Sequence, residues 1–311
     1  MQFNTAFFLS TQSRAILLMI LSAVCWGLGT VMSKGVLAYF PPLMVLVTQL
    51  TSSVAFLWTI ALIQQPWQSV YRSRLSPVNL LRLGFPGLLE PGLSYILGLI
   101  GLTMTTASSA SLISATEPVM VLALAWMFLK EQIRPVLLGF SGIAVGGGLL
   151  TVSVEMQLNG DSVIGNLLIV MGTFCAALYG VLSRSAVQTV NPVMLAAIQQ
   201  SFGLIWVILI WLNVEQGKIA QFSTINPVVW ILAIASGIVQ YALAFWLYLQ
   251  AIKTIPVSIA AQFLSLIPVF GACGAYLFLN ERLTLLQGLG MLLVMVSVAG
   301  IAQFQQKTQS Q

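Results

Sequence analysis

The sequence predicts an all-α membrane protein, ten transmembrane helices in two inverted five-helix repeats. Three observations carry this prediction: a composition water cannot dissolve, a series of charge-free stretches each long enough to cross a bilayer, and a match of the chain to itself at a shift of 150 residues. Of 311 residues, 59% are apolar and 6% charged, and mean hydropathy is +0.98. A soluble domain carries roughly a quarter charged residues. Twelve Lys/Arg and seven Asp/Glu cannot cover a chain of this size with a polar surface. The same apolar excess excludes disorder.

A helix crossing hydrocarbon needs about 20 mostly apolar residues. Cutting the charge-free stretches at Pro41-Pro42, Pro77, Asn191-Pro192, Asn226-Pro227 and Pro256, where proline starts or stops helices, gives ten spans. They lie near 15–36, 43–63, 78–100, 106–129, 135–153, 163–185, 193–213, 228–250, 257–279 and 285–305. The apolar run after Arg14 is longer than a signal-peptide core, so the first span is retained. A cytoplasmic N-terminus puts nine Lys/Arg inside (Arg14, Arg72, Arg74, Arg82, Lys130, Arg134, Arg184, Lys253, Lys307) and three outside (Lys34, Lys218, Arg282), which obeys the positive-inside bias. The predicted organisation is a cytoplasmic N-terminus 1–14, a first repeat 15–153, a second repeat 163–305 and a cytoplasmic tail 306–311. The expected setting is a bacterial inner (plasma) membrane.

The shift of 150 residues superposes Cys25 on Cys175, Ser33 on Ser183, Lys34 on Arg184, Pro42 on Pro192, Gln49 on Gln199, Pro118 on Pro268, and Phe128-Leu129-x-Glu131 on Phe278-Leu279-x-Glu281. Apolar coincidence explains Leu on Leu, but not Pro, Gln, Glu and Cys in one register. Five spans per copy is an odd number, so the second copy enters the bilayer upside down. Such a pair is related by a pseudo-two-fold axis in the membrane plane, which places a substrate site near the midplane and permits alternating access.

Ten spans in two five-helix repeats, a proline inside each fourth span (Pro118, Pro268), the Phe-Leu-x-Glu exits (Glu131, Glu281) and the glycine-rich fifth spans (Gly139, Gly142, Gly146 to Gly148; Gly288, Gly290) together resemble the EamA-type branch of the drug/metabolite transporter superfamily. The resemblance covers nearly the whole chain. It implies a metabolite carrier, often an exporter, with a central cavity lined by the first, third and fourth spans of each repeat.

Composition narrows the chemistry. There is no histidine, which removes a His base, a His triad and His-containing metal sites. Cys25, Cys175 and Cys273 lie far apart inside apolar stretches and read as small core residues. No G-x-x-x-x-G-K-[ST] sequence occurs, so ATP drive is not expected. Scattered basic residues argue against nucleic acid and fit an anionic leaflet. No catalytic residue, metal or cofactor is expected; the expected partners are a small-molecule substrate, the lipid bilayer and protons. Oligomeric state stays open, since Gly142-x-x-x-Gly146 packs equally well within or between subunits.

Two ionisable side chains fall inside spans, where they mark function by default. Glu90 lies 12 residues into the third span and Glu117 about 11 into the fourth. At 1.5 Å rise per residue each is about 17 Å from its helix end, near the centre of a core about 30 Å thick. No Lys or Arg falls at that depth, so these carboxyls are expected to exchange a proton or pair with a bound cation. The bland alternative is a protonated Glu bonded to a carbonyl freed by the following proline, both residues standing in Glu-Pro pairs. Pro86 and Pro91, with Gly84, Gly87 and Gly92, are expected to break the third span around Glu90; Pro86, Pro91, Pro118 and Pro268 are the candidate hinges. In the second copy Gln240 replaces Glu90 and Ile267 replaces Glu117 while Pro268 remains, so the kink is shared and the charge is not.

Cavity candidates are Ser114 and Gln262, from polar stripes on the fourth and ninth spans, Gln240, and the deep aromatics Trp26, Tyr95, Tyr179, Tyr241 and Trp246. Aromatic rings opposite a carboxylate suit an amine or an aromatic amino acid. For any one of these residues, core filling or interhelical glue is the competing reading. The function expected is proton-coupled secondary transport of a small neutral or cationic organic metabolite, the direction being export. Alternatives are a phosphorylated-sugar exchanger, which needs Lys or Arg near mid-depth, a non-transporting scaffold, and an intramembrane enzyme built on the two glutamates.

Overall fold

The computed structural model describes residues 10–64, 77–104, 113–152, 163–214, 226–279 and 284–309. Among them every regular element is helical. The first half holds α1 (Thr11–Leu37), α2 (Pro42–Gln64), α3 (Pro77–Gly87), α4 (Ser94–Leu102), α5 (Glu117–Leu129) and α6 (Pro135–Val152). The second holds α7 (Val163–Val187), α8 (Pro192–Val214), α9 (Pro227–Gly237), α10 (Ala244–Ile252), α11 (Val257–Leu264), α12 (Ile267–Leu279) and α13 (Leu285–Gln309). Eight helical segments are long and apolar enough to cross a bilayer, with Glu117–Leu129 and Pro135–Gly147 as shorter apolar helices. The chain is an integral membrane protein. Residues 106–112 of the predicted fourth span, and Arg72, Arg74, Lys218, Glu281 and Arg282, lie outside the described residues.

Proline sets many of the helix starts. Pro42, Pro77, Pro135, Pro192 and Pro227 each occupy a first helical position, where the missing N–H had no partner to lose. Asn226 strengthens the start of α9, its side chain accepting from the Val228 N–H at 2.9 Å. Lys130 ends α5 in the left-handed conformation, φ 55°.

The third span is interrupted where the sequence predicts. Between α3 and α4 the chain widens into π-type turns over Leu88–Leu93, and Glu90 is extended, φ −144° and ψ 126°. The second half widens at the same register, Ile238–Leu243, between α9 and α10. That stretch contains no proline, so the wide turn belongs to the duplicated architecture rather than to Pro91 alone. At the fourth span the expectation of a proline within a continuous helix needs correction. Pro118 and Pro268 are the second residues of α5 and α12, and the chain turns just before them, at Ala115-Thr116 and Ser265-Leu266. A proline disfavours helical backbone in the residue that precedes it, so the break falls upstream and the proline begins a new helix.

Helix packing exchanges between the halves. α1 packs on α10 and α12 of the second half, while α7 packs on α4 and α5 of the first. α2 packs on α9, and α8 on α3. Two glycines make the last pair possible: a Cβ on Gly87 would stand 1.8 Å from the Gln199 carbonyl oxygen, and one on Gly237 would stand 2.4 Å from that of Gln49. Each contact recurs when 150 is added to one partner and removed from the other, as in a two-fold related pair. α2 meets α8, and α6 meets α13, its own counterpart in each case. Side chains repeat the pattern: Gln49 Nε2 donates to Ser33 Oγ at 2.7 Å, and Gln199 Nε2 to Ser183 Oγ at 3.0 Å.

Candidate functional site

A cavity of about 600 Å³ opens between the halves. Its wall comes from the first, third and fourth segments of each half, with Ala144 added from α6. Many wall residues are register mates 150 apart: Glu90 and Gln240, Glu117 and Ile267, Pro118 and Pro268, Gly98 and Tyr248, Ser114 and Leu264, Trp26 and Ala176. Both halves thus contribute equivalent positions to one surface. The pairs match in position and differ in chemistry. The first half supplies both carboxyls, whereas its Gly98 faces the cavity where the second half presents Tyr248.

Of the sequence candidates, the structure brings Glu90, Glu117, Trp26, Tyr95, Ser114, Tyr179 and Gln240 to this wall, and the hinge candidates Pro118 and Pro268 with them. Pro86 and Pro91 are buried beside it in the third segment. Tyr241, Trp246 and Gln262 are not on the wall. Tyr241 is buried behind Tyr95, ring centroids 5.1 Å apart, and stacks on Phe245 at 6.3 Å. Trp246 is two residues from Tyr248, which at 100° per residue turns it to the far side of α10. Gln262 is fully buried within α11, its Nε2 donating to the Ser258 carbonyl at 3.3 Å and its Oε1 without a partner.

Tyr248, Thr30 and Gly271 line the cavity and were not singled out by the sequence reading. No sequence signal set Tyr248 toward the cavity, since Tyr241, seven residues before it, is itself off the wall and the wide turn to Leu243 lies between them. Its hydroxyl sits against Gly180, where a Cβ would come within 2.4 Å of it. Trp26 packs edge-on to Tyr248 at 5.8 Å and to Phe245 at 5.0 Å, while Tyr179 stacks on Tyr248 at 6.3 Å. Tyr179 is fixed by donating its hydroxyl to Gln199 Oε1 at 3.0 Å. The Gln240 amide is fixed too, its Oε1 accepting from Ser33 Oγ at 2.6 Å. The Tyr179 ring and the Gln240 amide are thus held in place by these bonds.

No Lys or Arg lines the cavity among the described residues, so two carboxyls share a wall with aromatic rings and no fixed countercharge on it. Such a space can take up a proton, a cation, or a neutral polar molecule with an apolar body. A membrane-embedded, duplicated helical bundle with a ligand-sized cavity between its halves is the architecture of a transporter. The chain belongs to the EamA-like transporter family, which matches residues 13–153 and again 163–303. It is 27% identical over 295 residues, 92% of this chain and 91% of the other, to a protein of Bacillus subtilis (strain 168) named uncharacterized transporter YvbV. A second relative, an uncharacterized transporter of Methanothermobacter thermautotrophicus, is 26% identical over 236 residues, 73% of this chain and 65% of the other. A solved crystal structure shares the fold, with TM-score 0.77 at 15% identity over 96% of this chain and 99% of that one.

Proposed function

We propose that this protein is a secondary transporter that carries a small neutral or cationic organic metabolite, an amino acid or an amine, by alternating access and in exchange for protons, in the direction of export. Glu90 and Glu117 are the coupling groups in this reading. Substrate and proton compete for them: a bound cation takes the place of the proton, and a proton entering from the opposite side releases it. What carries the reading is the pairing of two carboxyls with Trp26, Tyr95, Tyr179 and Tyr248 around one cavity whose wall holds no Lys or Arg among the described residues. A phosphorylated substrate lacks a countercharge there, which speaks against exchange of sugar phosphates. A scaffold needs no cavity between its halves.

In this reading the halves are inverted, with ten spans and both termini in the cytoplasm of a bacterial inner membrane. The exchanged packing of the halves supports the inversion, and the nine-to-three distribution of Lys/Arg supports the orientation. The experiment is a flux assay in proteoliposomes with an imposed pH gradient and a panel of amino acids and amines. Glu90→Gln and Glu117→Gln, singly and together, are expected to abolish gradient-driven flux while the folded protein persists. Full gradient dependence in the double variant would remove both carboxyls from the coupling.

A further inference from the structure

Glu131 takes no part in the cavity, yet its carboxylate joins the two halves. It belongs to the turn after α5, and both of its oxygens are spent on the start of α11 in the other half. Oε1 accepts from the Val257 N–H at 3.0 Å, and Oε2 accepts from the Ser258 N–H at 3.0 Å and from the Ser258 hydroxyl. These are free N–H groups of a helix N-terminus, which Pro256 at the cap position leaves without a side-chain acceptor of its own. A carboxylate there is favoured by the helix dipole and makes charge-assisted bonds. Beside it, the Arg184 guanidinium donates to the Ile252 carbonyl, and Gln188 Nε2 donates to the Lys253 carbonyl at 3.1 Å.

These contacts gather at one end of the cavity. Arg184 is five residues beyond Tyr179 on α7, Ile252 is four beyond Tyr248 on α10, and Ser258 is six before Leu264 on α11. That places the cluster about 6 to 9 Å past the cavity wall along three separate helices, at 1.5 Å per residue. The end is sealed, with Ile252 at 0%, Ile255 at 1% and Val257 at 0% exposure. Its register mate at the other end is not: Leu102, equivalent to Ile252, is 45% exposed and lines the cavity, and Ser114 is exposed beside it. Among the described residues, the cavity wall thus reaches the surface at Leu102 and Ser114 and stops at buried residues on the Ile252 side, one open mouth and one closed.

We propose that Glu131 is the latch of the closed mouth. Its carboxylate, held by one half, fastens the first turn of α11 in the other, and the state in which this mouth opens is reached by releasing it. The inference rests on the transport reading for its purpose, but its test does not require flux. In protein whose Cys25, Cys175 and Cys273 are replaced by Ala, single reporters Ile255→Cys at the closed mouth and Ser114→Cys at the open one are labelled with a membrane-impermeant maleimide. Glu131→Gln is expected to raise labelling at 255 severalfold and to lower it at 114. Ser258→Ala, which removes one bond and leaves the fold least disturbed, is expected to shift both in the same directions by less. Unchanged labelling at 255 in both variants overturns the latch. A rise at 255 with no change at 114 also overturns it, because Glu131 is then a local helix cap. If the labelling shifts as expected while none of the amines or amino acids moves across the membrane, the transport reading fails and the latch stands.

Discussion

Tyr248 reaches the cavity because Gly180 has no side chain. A Cβ at 180 would stand 2.4 Å from the Tyr248 hydroxyl and 3.5 Å from the ring carbon that bears it, so the clash is with the oxygen alone. Gly180→Ala is therefore expected to destabilise the protein by about 1–3 kcal/mol, the usual range for overpacking. Tyr248→Phe in the Gly180→Ala background is expected to recover most of that loss, since it deletes the oxygen and leaves the ring at ordinary contact distance. Thermal denaturation of the four proteins of this double-mutant cycle measures the coupling. Additive effects would mean that the hydroxyl is elsewhere. The residue that sequence reasoning chose on this helix was Trp246, for its depth. Depth was legible from the count along the span, but facing was not, because α10 has Gln250 as its one fully polar side chain and no polar stripe to set the phase. Glu90 and Glu117 were legible for the opposite reason: a charge in an apolar segment stands out without any knowledge of its neighbours.

α5 and α6 are the elements on which the topology turns. α5 has 13 residues and α6 has 18, about 20 Å and 27 Å at 1.5 Å per residue, against hydrocarbon about 30 Å thick. Sequence reading made the fourth span one helix of conventional length, 106–129, with Glu117 and Pro118 inside it. The turn before Pro118 was invisible to it, since Ala115 and Thr116 carry no breaker signal of their own and the proline acts upstream. The wide turn at Ile238–Leu243 had no Pro to announce it, and sequence reading did not expect it. Reporter fusions decide whether α5 and α6 cross. With five spans in each half, a fusion after Arg134 is expected in the cytoplasm, fluorescent as a fused fluorescent protein and inactive as a fused alkaline phosphatase. A fusion at residue 158, between the halves, is expected to behave oppositely. Phosphatase activity after Arg134 would leave α5 outside the count and end the inverted arrangement.

For the molecule as a whole, a cavity lined by equivalent positions of both halves predicts that a function can be moved from one half to the other. Glu90 and Gln240 are register mates, and both line the cavity. Gln240 Oε1 is already an acceptor, taking the Ser33 hydroxyl at 2.6 Å, a role that a carboxylate fills at least as well. The space around 240 is closely fitted, a Cβ on Gly29 coming within 2.4 Å of Gln240 Cβ, but Glu and Gln have the same shape, so the exchange adds no volume. The variant carrying both Glu90→Gln and Gln240→Glu keeps the total charge and returns an acid to the same space from the opposite half. It is expected to regain a measurable part of the gradient-driven flux that Glu90→Gln alone loses, with altered substrate preference because the aromatic wall is not exchanged with the acid. Ile267→Glu in the Glu117→Gln background places a charge at a former apolar contact and is expected to recover less. If the 90/240 exchange restores nothing while its thermal stability matches the parent, the carboxyl at 90 acts through its own broken helix, where the backbone is extended, and not through its place in the shared cavity.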